Sequence, residues 1–397
     1  MQVYFDHNAT TPLAAEVVDA MLPYLREDFG NASSIHRFGQ RARAAVETAR
    51  ARVAALIGAE QSEIVFTGGG TEADNLAVLG AVRGSSLPQK HVITSAIEHP
   101  AVLYTCQTLE KEGVNVTYLP VSSEGFVDPS DVRRALRPET VLITIMHANN
   151  EIGAVQPIPE IAAIAREAGV LCHTDAVQST GKIPMDVKSL GVDLLSLSAH
   201  KFNGPKGVGA LFVRKGVALQ PVLFGGHGKG DPRPGTENVA GIVGLGAAAR
   251  LAAETLTVEC RRLGELRDRL EKAILQCIED CGINGPKVAR DGERYLRVPN
   301  TANLHFDYIE GESLVIALDL QGIACSTGSA CSSGAVTPSH VLTAIGVPAQ
   351  RARASLRFSL GRQTTAEDVE VLIAALPAVV ERLRALSPQT PATARQG

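Results

Sequence analysis

The most reactive combination of side chains in the sequence is the run Ser198-Ala199-His200-Lys201, which directly follows the apolar residues 192–197. A strand that ends in this run brings a hydroxyl, an imidazole and an amine to one edge of a sheet. A second apolar stretch, residues 170–172, is followed closely by Asp175. Pyridoxal 5'-phosphate (PLP) requires a lysine amine for a Schiff base and a carboxylate that pairs with its pyridinium nitrogen. These two strand ends therefore predict a PLP site.

Each of these residues also has an ordinary explanation when it is taken alone. A lysine after a strand is usually a solvated loop residue, and an aspartate at a strand end often caps a helix. The PLP interpretation is favoured because Lys201 and Asp175 end two successive predicted strands, with Ser198 and His200 beside the lysine.

A glycine-rich turn, Gly68-Gly69-Gly70-Thr71, lies between a predicted strand and a predicted helix. Glycines allow a close approach of the backbone, and the amides of a helix N-terminus bind anions. The turn lacks the lysine of a Walker loop and the spacing of a dinucleotide motif. We therefore expect a phosphate site at Gly70 and Thr71, completed by Ser198 and His200, with a plain tight turn as the alternative.

Polar residues follow two further predicted strands. His99 comes after residues 92–94, where it could stack on a planar ring and transfer protons, or could simply be a solvated residue at a helix start. Asn149 and Asn150 follow residues 141–146. An asparagine there could donate to a ring hydroxyl oxygen, although Asn-Asn also favours an ordinary turn.

Cys331 lies in a run of small polar residues, 326–334, that has little to bury and predicts an exposed, mobile loop. Because cysteine is usually buried, its presence there indicates reactivity. A thiolate within reach of a bound substrate would be a nucleophile, whereas an incidental surface thiol is the alternative. Cys325 is expected in the core at a strand end.

Arg357 lies inside an alternating strand, where Leu356 and Phe358 face the opposite side. Its planar guanidinium suits bidentate capture of a substrate carboxylate, and an exposed charge on an edge strand is the alternative.

The composition limits the class of protein. With 397 residues, 45% hydrophobic and 20% charged, the chain is typical of a soluble globular protein with two domains. A net charge of -4 without a basic run argues against a nucleic-acid partner. We found neither a secretory signal nor an apolar run of membrane-spanning length, so we expect no membrane partner and a cytoplasmic location. The seven scattered cysteines predict free thiols and no metal site.

Helical and strand patterns alternate from about residue 40 to residue 215. This alternation predicts an α/β fold with a mostly parallel sheet flanked by helices, with ligands bound beyond the carboxyl ends of its strands. A long helical pattern over residues 239–278 leads to a smaller α+β C-terminal domain. The expected boundaries are 13–257 for the large domain, and 1–12 with 258–397 for the small domain, which carries the cysteine loop at about 325–338.

Eight motifs, in this order, resemble those of the NifS/IscS-type cysteine desulfurases, which are class V, fold-type I PLP-dependent enzymes. The resemblance extends from about residue 2 to residue 388. The motifs are Asn8-Ala9-Thr10-Thr11-Pro12, Gly70-Thr71-Glu72-Ala73-Asp74-Asn75, Glu98-His99, Asn149-Asn150-Glu151-Ile152-Gly153, Asp175-Ala176-Val177-Gln178, Ser198-Ala199-His200-Lys201, Arg233-Pro234-Gly235-Thr236 and Gly328-Ser329-Ala330-Cys331.

The resemblance implies a role for each matching position around the cofactor ring. Lys201 would bind PLP covalently and remove the substrate's Cα proton, and Asp175 would pair with the pyridinium nitrogen. His99 would stack on the ring and act in catalysis. Gln178 and Asn150 would contact the region of its phenolic oxygen.

The phosphate, the substrate and the sulfur are assigned in the same way. Gly70, Thr71, Ser198 and His200 would bind the phosphate, together with Thr236 of the neighbouring subunit, which implies a homodimer. Arg357 and Asn150 would hold the carboxylate of L-cysteine. Cys331 would accept the sulfur as a persulfide and pass it to an iron–sulfur scaffold protein or another acceptor.

The chain departs from the family pattern in residues 227–232, where Gly228, Lys229 and Gly230 stand at positions usually occupied by Gln or His followed by Glu-Arg. The long stretch 326–338 resembles the family group that supplies iron–sulfur assembly or tRNA thiolation. A selenocysteine lyase, a class V aminotransferase and a catalytically silent sulfur-relay scaffold are the alternatives. The sulfur acceptor, the preference between cysteine and selenocysteine, and the role of Cys325 are left open.

Overall fold

The computed structural model describes residues 2–225, 232–327 and 338–388, so Cys331 and most of the 227–232 segment lie outside the described residues. The N-terminal segment contains strand β1 (Val3–Tyr4), and helices α1 (Ala15–Arg26) and α2 (Arg37–Ile57) follow it. Helix α2 matches the predicted helical pattern over 41–57, whereas α1 was not predicted.

The main sheet has seven strands among the described residues. They are β2 (Ile64–Thr67), β3 (His91–Ser95), β4 (Asn115–Leu119), β5 (Thr140–Thr144), β6 (Leu171–Asp175), β7 (Leu194–Ser198) and β8 (Gly209–Val213). Their order is β2-β8-β7-β6-β5-β3-β4. All neighbours from β4 to β7 pair in parallel, and β8 is antiparallel to both β7 and β2. The expectation of a mostly parallel sheet is confirmed.

Helices cover both faces of this sheet. They are α3 (Gly70–Gly84), α4 (Pro100–Lys111), α5 (Pro129–Ala135), α6 (Ile158–Ala168) and α7 (Val187–Leu190). Successive strand residues face opposite layers: Ile93 and Leu195 belong to the core with α2 and α6, whereas Val92 and Leu194 belong to the core with α3 and α4. Because both faces are buried, the strands have continuous apolar sequences.

Helix α8 (Val239–Cys277) has 39 residues and connects the main sheet to the rest of the chain. Its length and composition would be enough to cross a membrane. Instead, its first half is largely buried and packs against α1 and α2, as expected of the core helix of a globular domain. The proposed domain boundary at residue 257 falls within this continuous helix, and the division into domains stays a prediction.

The C-terminal part forms a second sheet with its own core. Its elements are β9 (Cys281–Ile283), β10 (Arg290–Asp291), β11 (Arg294–Tyr295), β12 (Thr301–Phe306), α9 (Gly311–Asp319), β13 (Ile323–Ala324), β14 (Ser326–Thr327), α10 (His340–Ala344), α11 (Ala349–Arg353), β15 (Ser355–Ser359) and α12 (Ala366–Leu386). Strands β14-β15-β12-β9 are antiparallel neighbours. Thr365 caps α12 through a capping box with Asp368.

The N-terminal segment crosses between the two sheets. Strand β1 pairs in parallel with β13, and the Asn8 amide donates to Ser359 Oγ at 2.9 Å. A few residues later, the Thr11 amide donates to the carbonyl of His200, next to Lys201. The N-terminal segment therefore joins the second core and also contacts the turn that contains His200 and Lys201.

Candidate active site

The predicted site residues lie at one edge of the main sheet. Strands β2, β3, β5, β6 and β7 run in the same direction, so their carboxyl ends meet at that edge. Gly70 follows β2, His99 follows β3, Asn150 follows β5, Asp175 ends β6 and Lys201 follows β7. The topology therefore brings together residues that are up to 131 positions apart in the chain, from Gly70 to Lys201 (201 − 70 = 131).

Lys201 ends a short 3-10 turn, Ala199–Lys201, immediately after β7. Its Nζ donates to the carbonyl of Asn8 at 2.6 Å and to that of Ala9 at 2.8 Å, and the side chain is half-buried. The amine is therefore held by the backbone of the N-terminal segment, a contact that the sequence did not reveal.

Asp175 is the last residue of β6 and is 6% exposed. Its Oδ1 accepts a hydrogen bond from the Val177 amide at 2.9 Å. Burial raises the pKa of this carboxyl, and the nearby His99 and Lys201 partly oppose that shift. Among the described residues no hydrogen bond reaches Oδ2, so one carboxylate oxygen remains for a cationic partner at the pocket.

His99 is the N-cap of α4, and its Nδ1 accepts from the Ala101 amide at 3.1 Å. Because Nδ1 is an acceptor, a neutral ring carries its proton on Nε2. Burial lowers the pKa of the imidazole. His99 is thus a helix-start residue, but it is only half-exposed and lies beside Asp175 and Lys201 rather than in open solvent.

The start of α3 packs closely against the strand ends at Gly70. A Cβ at this position would lie 2.8 Å from Val177 Cγ2 and 3.5 Å from Ser198 Cβ, so only glycine permits this approach without displacement. Ser198 is buried at 2% exposure, whereas Thr71 is exposed at the helix start. The amides of a helix N-terminus, a hydroxyl and a glycine close together suit an anion such as a phosphate.

Glu72 organises this turn, although the sequence analysis gave it no role. Its carboxylate accepts from the Gly68 amide at 2.7 Å and from Arg233 Nε at 2.8 Å. Arg233 and Thr236 lie close together in the chain, and both line a groove that Gly68 also lines. Thr236 is exposed in this groove. Thr236 therefore lies close in space to the glycine turn of its own subunit, and its predicted contact with a neighbouring subunit stays a prediction.

His200 contacts the N-terminal segment through Nδ1 and Thr10 Oγ1, which are 3.1 Å apart. Burial and the nearby Lys201 lower the pKa of this imidazole to about 4, so the ring is neutral at pH 7. A neutral ring could contact a phosphate as a hydrogen-bond donor through Nε2.

The two asparagines after β5 make different contacts. Asn149 is fully buried and stabilises a turn, since its Oδ1 accepts from the amides of Glu151 and Ile152. For Asn149 the ordinary-turn interpretation is therefore correct. Asn150 is half-buried, and its carbonyl accepts from Asn8 Nδ2 and from Arg357 NH1.

Arg357 is 1% exposed on β15, so the alternative of an exposed edge-strand charge is wrong. Its NH2 pairs with Asp6 Oδ1 at 2.7 Å, while its Nε is buried and has no hydrogen-bond partner within residues 2–225, 232–327 and 338–388. The Asp6 partner was not predicted. The role of Arg357 in carboxylate binding stays a prediction.

Of the two cysteines in this region, Cys331 lies outside the described residues. Cys325, between β13 and β14, is 8% exposed and belongs to the second core, as expected. Burial raises the pKa of its thiol to about 12, which makes it a poor nucleophile at neutral pH.

Comparison with known proteins identifies the family. The class V aminotransferase model matches residues 3–372. The chain is 52% identical over 387 residues to cysteine desulfurase IscS of Dictyoglomus turgidum, covering 98% of this chain and 96% of that protein. The chain belongs to the cysteine desulfurases of the class V aminotransferase family. The IscS protein of Methanosarcina thermophila is 51% identical over 389 residues, covering 98% of this chain and 94% of that protein.

Solved structures of this family agree with the fold. A NifS-like protein superposes with a TM-score of 0.89 at 36% identity, covering 96% of this chain and all of that chain. SspA in complex with cysteine superposes with a TM-score of 0.79 at 38% identity, covering 91% of this chain and all of that chain. The predicted fold-type I architecture is therefore confirmed.

Family membership implies PLP, and the residues present fit this group. The uncommitted Oδ2 of the buried Asp175 suits a protonated ring nitrogen. Gly70 lets the start of α3 lie close to Ser198, where helix amides and a hydroxyl suit the phosphate group. Lys201 lies at the carboxyl end of the neighbouring strand, where its amine can reach the same space.

Proposed function

We propose that this chain is a PLP-dependent cysteine desulfurase in which Lys201, Asp175 and His99 serve the cofactor and Cys331 receives the sulfur. Such an enzyme converts L-cysteine to L-alanine and retains the sulfur as a persulfide. The observation that carries the proposal is the convergence of a buried carboxylate, an imidazole and a lysine amine at three strand ends of the main sheet.

When bound, PLP withdraws the electrons that remain after the substrate loses its Cα proton. In this proposal Asp175 keeps the ring nitrogen protonated, because its carboxylate is buried and has one oxygen available. The Lys201 amine holds PLP in the resting enzyme and takes the Cα proton of the bound substrate. His99 covers the site and moves a proton through Nε2, since Nδ1 is engaged by the Ala101 amide.

The substrate carboxylate is assigned to Arg357 and Asn150. Arg357 is held rigidly by Asp6 and the Asn150 carbonyl, so its guanidinium loses little freedom on binding. It is also shielded from water, which strengthens an ion pair with a carboxylate.

Sulfur transfer requires a second nucleophile, and this is the role proposed for Cys331. Its thiolate attacks the substrate sulfur, the Cβ–S bond breaks, and the bonding electrons stay with the substrate carbon, which is protonated to give alanine. The product on the enzyme is a Cys331 persulfide. Cys325 cannot substitute for it, because its thiol is buried in the second core.

The assignment is tested with Cys331→Ala and the matched variant Cys325→Ala. After addition of L-cysteine, we expect Cys331→Ala to keep the visible absorption of bound PLP but to lose persulfide formation and alanine release. Cys325→Ala should retain both activities. Full sulfur release by Cys331→Ala would show that the assignment is wrong.

We also propose that the active form is a homodimer. Support comes from exposed apolar side chains near the Thr236 groove: Phe29 is 76% exposed, Ile35 91% and Phe38 48%. Phe29 and Phe38 stack on each other with ring centroids 5.4 Å apart. Ser33, between Phe29 and Ile35 in the chain, lines the groove with Thr236. An apolar patch continuous with a binding groove is typical of a subunit interface.

For the sulfur acceptor we propose an iron–sulfur scaffold protein or another persulfide-accepting protein, which is supported by the IscS relatives. We propose the cytoplasm as the compartment, since Cys106, Cys172, Cys260, Cys277, Cys281 and Cys325 are free thiols. Transfer of labelled sulfur from L-cysteine to added candidate acceptors tests the first of these proposals.

A further inference from the structure

Lys182 is a buried lysine that the mechanism above does not use. It lies four residues after Gln178, in the turn that follows β6, and is 8% exposed. Its Nζ donates to Gln178 Oε1 at 2.7 Å and to Asn8 Oδ1 at 2.9 Å. Both partners are neutral amide oxygens, so this lysine is held without a carboxylate among its hydrogen-bond partners.

An ammonium or amine that donates to an amide oxygen fixes the orientation of that amide. The Gln178 oxygen must face Lys182, so its Nε2 must face the other way, where it donates to the Asn8 carbonyl at 3.0 Å. Asn8 is oriented in the same way, because its Oδ1 accepts from Lys182 and its Nδ2 donates to the Asn150 carbonyl at 3.1 Å.

These two amides lie directly beside the reactive lysine. The Asn8 carbonyl that accepts from Gln178 Nε2 also accepts from Lys201 Nζ at 2.6 Å. Two hydrogen-bonded routes therefore connect Lys182 to Lys201: one passes through Asn8 alone, and the other passes through Gln178 and then the Asn8 carbonyl.

We propose that Lys182 is a positioning residue for the PLP site, which acts through Gln178 and Asn8 to fix the hydrogen-bonding groups that face Lys201 and the cofactor's phenolic oxygen. The inference rests on the proposed function, because it takes the Lys201 region to be the PLP site. It adds a role for a side chain that does not itself touch the reacting atoms.

The charged surroundings argue against a purely stabilising role. Burial lowers the pKa of Lys182, and the nearby Lys201 and Arg357 lower it further. Burial lowers the pKa values of the His7 and His200 imidazoles to about 4, and the nearby Lys182 contributes to both shifts. Glu259 of α8 lines the small cavity beside Lys182, but no ion pair joins the two among the described residues.

A buried lysine with these neighbours is costly for folding, since it is desolvated and no described carboxylate forms an ion pair with it. An apolar side chain of similar length would avoid this cost. Unlike an apolar side chain, Lys182 donates to two amide oxygens at once, and these two hydrogen bonds orient Gln178 and Asn8.

The test uses the holoenzyme variants Lys182→Met and Lys182→Gln, with Lys188→Met as the matched control. Lys188 is exposed on α7 in the same connection. The first measurement is the pH titration of the visible absorption of bound PLP, and the second is the dissociation constant of PLP after reconstitution of the apo form. The third is thermal unfolding of the apo form, which reports a merely structural role.

We expect Lys182→Met to raise the pH midpoint of the visible absorption by about one unit and to weaken PLP binding about tenfold, as for one misplaced buried hydrogen bond. The direction follows because the variant leaves the Gln178 amide without the partner that orients it, and a misplaced donor favours an anionic phenolic oxygen less. Lys188→Met should match the wild type in both measurements. If Lys182→Met does not fold, Lys182→Gln gives the same comparison.

A double variant separates positioning from a direct effect. In a Gln178→Leu background, Lys182→Met should shift the midpoint by much less than it does in the wild type. Equal shifts in both backgrounds, or a changed unfolding temperature with an unchanged midpoint and unchanged PLP affinity, would overturn the proposal. A wild-type protein that shows no PLP absorption at all would instead overturn the proposed function.

Discussion

Asp175 and Glu98 are two buried carboxyl groups of the same site whose surroundings differ. Asp175 has His99 and Lys201 nearby, which oppose the effect of burial on its pKa. Glu98 accepts from Ser95 Oγ and from the Met146 amide, but its Oε2 has no hydrogen-bond partner in the part of the chain that the structure describes. Burial raises the pKa of Glu98 to about 8, so Glu98 is protonated at neutral pH. Burial raises the pKa of both carboxyl groups, but only Asp175 has basic side chains nearby that oppose the shift.

This difference predicts the pH dependence of a Glu98→Gln variant. Between the ordinary pKa of 4.5 and the folded value of about 8, the folded wild type binds more protons than the unfolded chain. Its stability therefore falls as pH rises through this window. Glutamine cannot titrate, so the free energy of unfolding of Glu98→Gln should rise relative to wild type from about pH 5 to about pH 8.

Urea unfolding of Glu98→Gln and wild type at about pH 5 and about pH 8 measures this difference in the free energy of unfolding. Glu124→Gln is the control, because Glu124 is exposed in a turn. A constant difference between Glu98→Gln and wild type across the window would contradict the protonated state of Glu98.

At the residue scale, motifs in the sequence indicated Lys201, Asp175 and His99, because each follows an apolar strand. Asn8 and Lys182 were not assigned contacts, since Lys182 Nζ meets Asn8 Oδ1 across 174 positions of sequence. No local pattern encodes a hydrogen bond over that distance. Glu72 was within a recognised motif, but its contact with Arg233 depends on how two distant segments fold together.

Among the secondary-structure elements, the position of α3 against β7 and the loop after β6 sets the shape of the proposed phosphate site. A Gly70→Ala change places a Cβ 2.8 Å from Val177 Cγ2, so the helix start or the Asp175 loop must move. We expect a loss of about 1–3 kcal/mol in stability from overpacking and about tenfold weaker PLP binding. Thermal unfolding and PLP titration of the apo form measure the two effects.

Gly84→Ala, at the other end of α3, is the matched control. Its Cβ would lie no closer than 3.5 Å to a described neighbour, the Ala218 carbonyl oxygen. If Gly70→Ala and Gly84→Ala bind PLP equally well, the close packing of the helix start does not shape the site.

Most of these elements were predictable from their periodicity. The strands of the parallel region have continuous apolar runs because helices cover both faces. Helix α1 was missed, and it contains Pro23, a residue that usually argues against a helix interior. The antiparallel direction of β8 depends on the short return after Lys201, which apolar periodicity does not report.

For the whole molecule, the proposed homodimer predicts that two variant subunits, each defective in PLP binding, can together form one intact PLP site. If Thr236 contacts the PLP phosphate of the neighbouring subunit, a hybrid of Lys201→Ala and Thr236→Ala subunits contains one complete site. That site should recover wild-type PLP affinity, whereas the Thr236→Ala homodimer should bind PLP about 10–100-fold more weakly through loss of a charged hydrogen bond.

Tagged subunits allow the hybrid to be purified and titrated with PLP. An affinity equal to that of the Thr236→Ala homodimer would mean that Thr236 serves its own subunit. The neighbouring apolar side chains Phe29, Ile35 and Phe38 would then require another explanation.

The contacts of the N-terminal segment have a consequence for synthesis of the protein. Strand β1 pairs with β13, and the Asn8 amide binds Ser359, 351 positions later in the chain. Residues 3–8 therefore leave the ribosome well before their partners in β13 and β15 are made. The Asn8 carbonyl also accepts a hydrogen bond from Lys201 Nζ. The pocket can therefore be completed only after β15 has been synthesised. Loading of the cofactor into its final geometry is then a late event, and prematurely terminated chains should be unable to hold it.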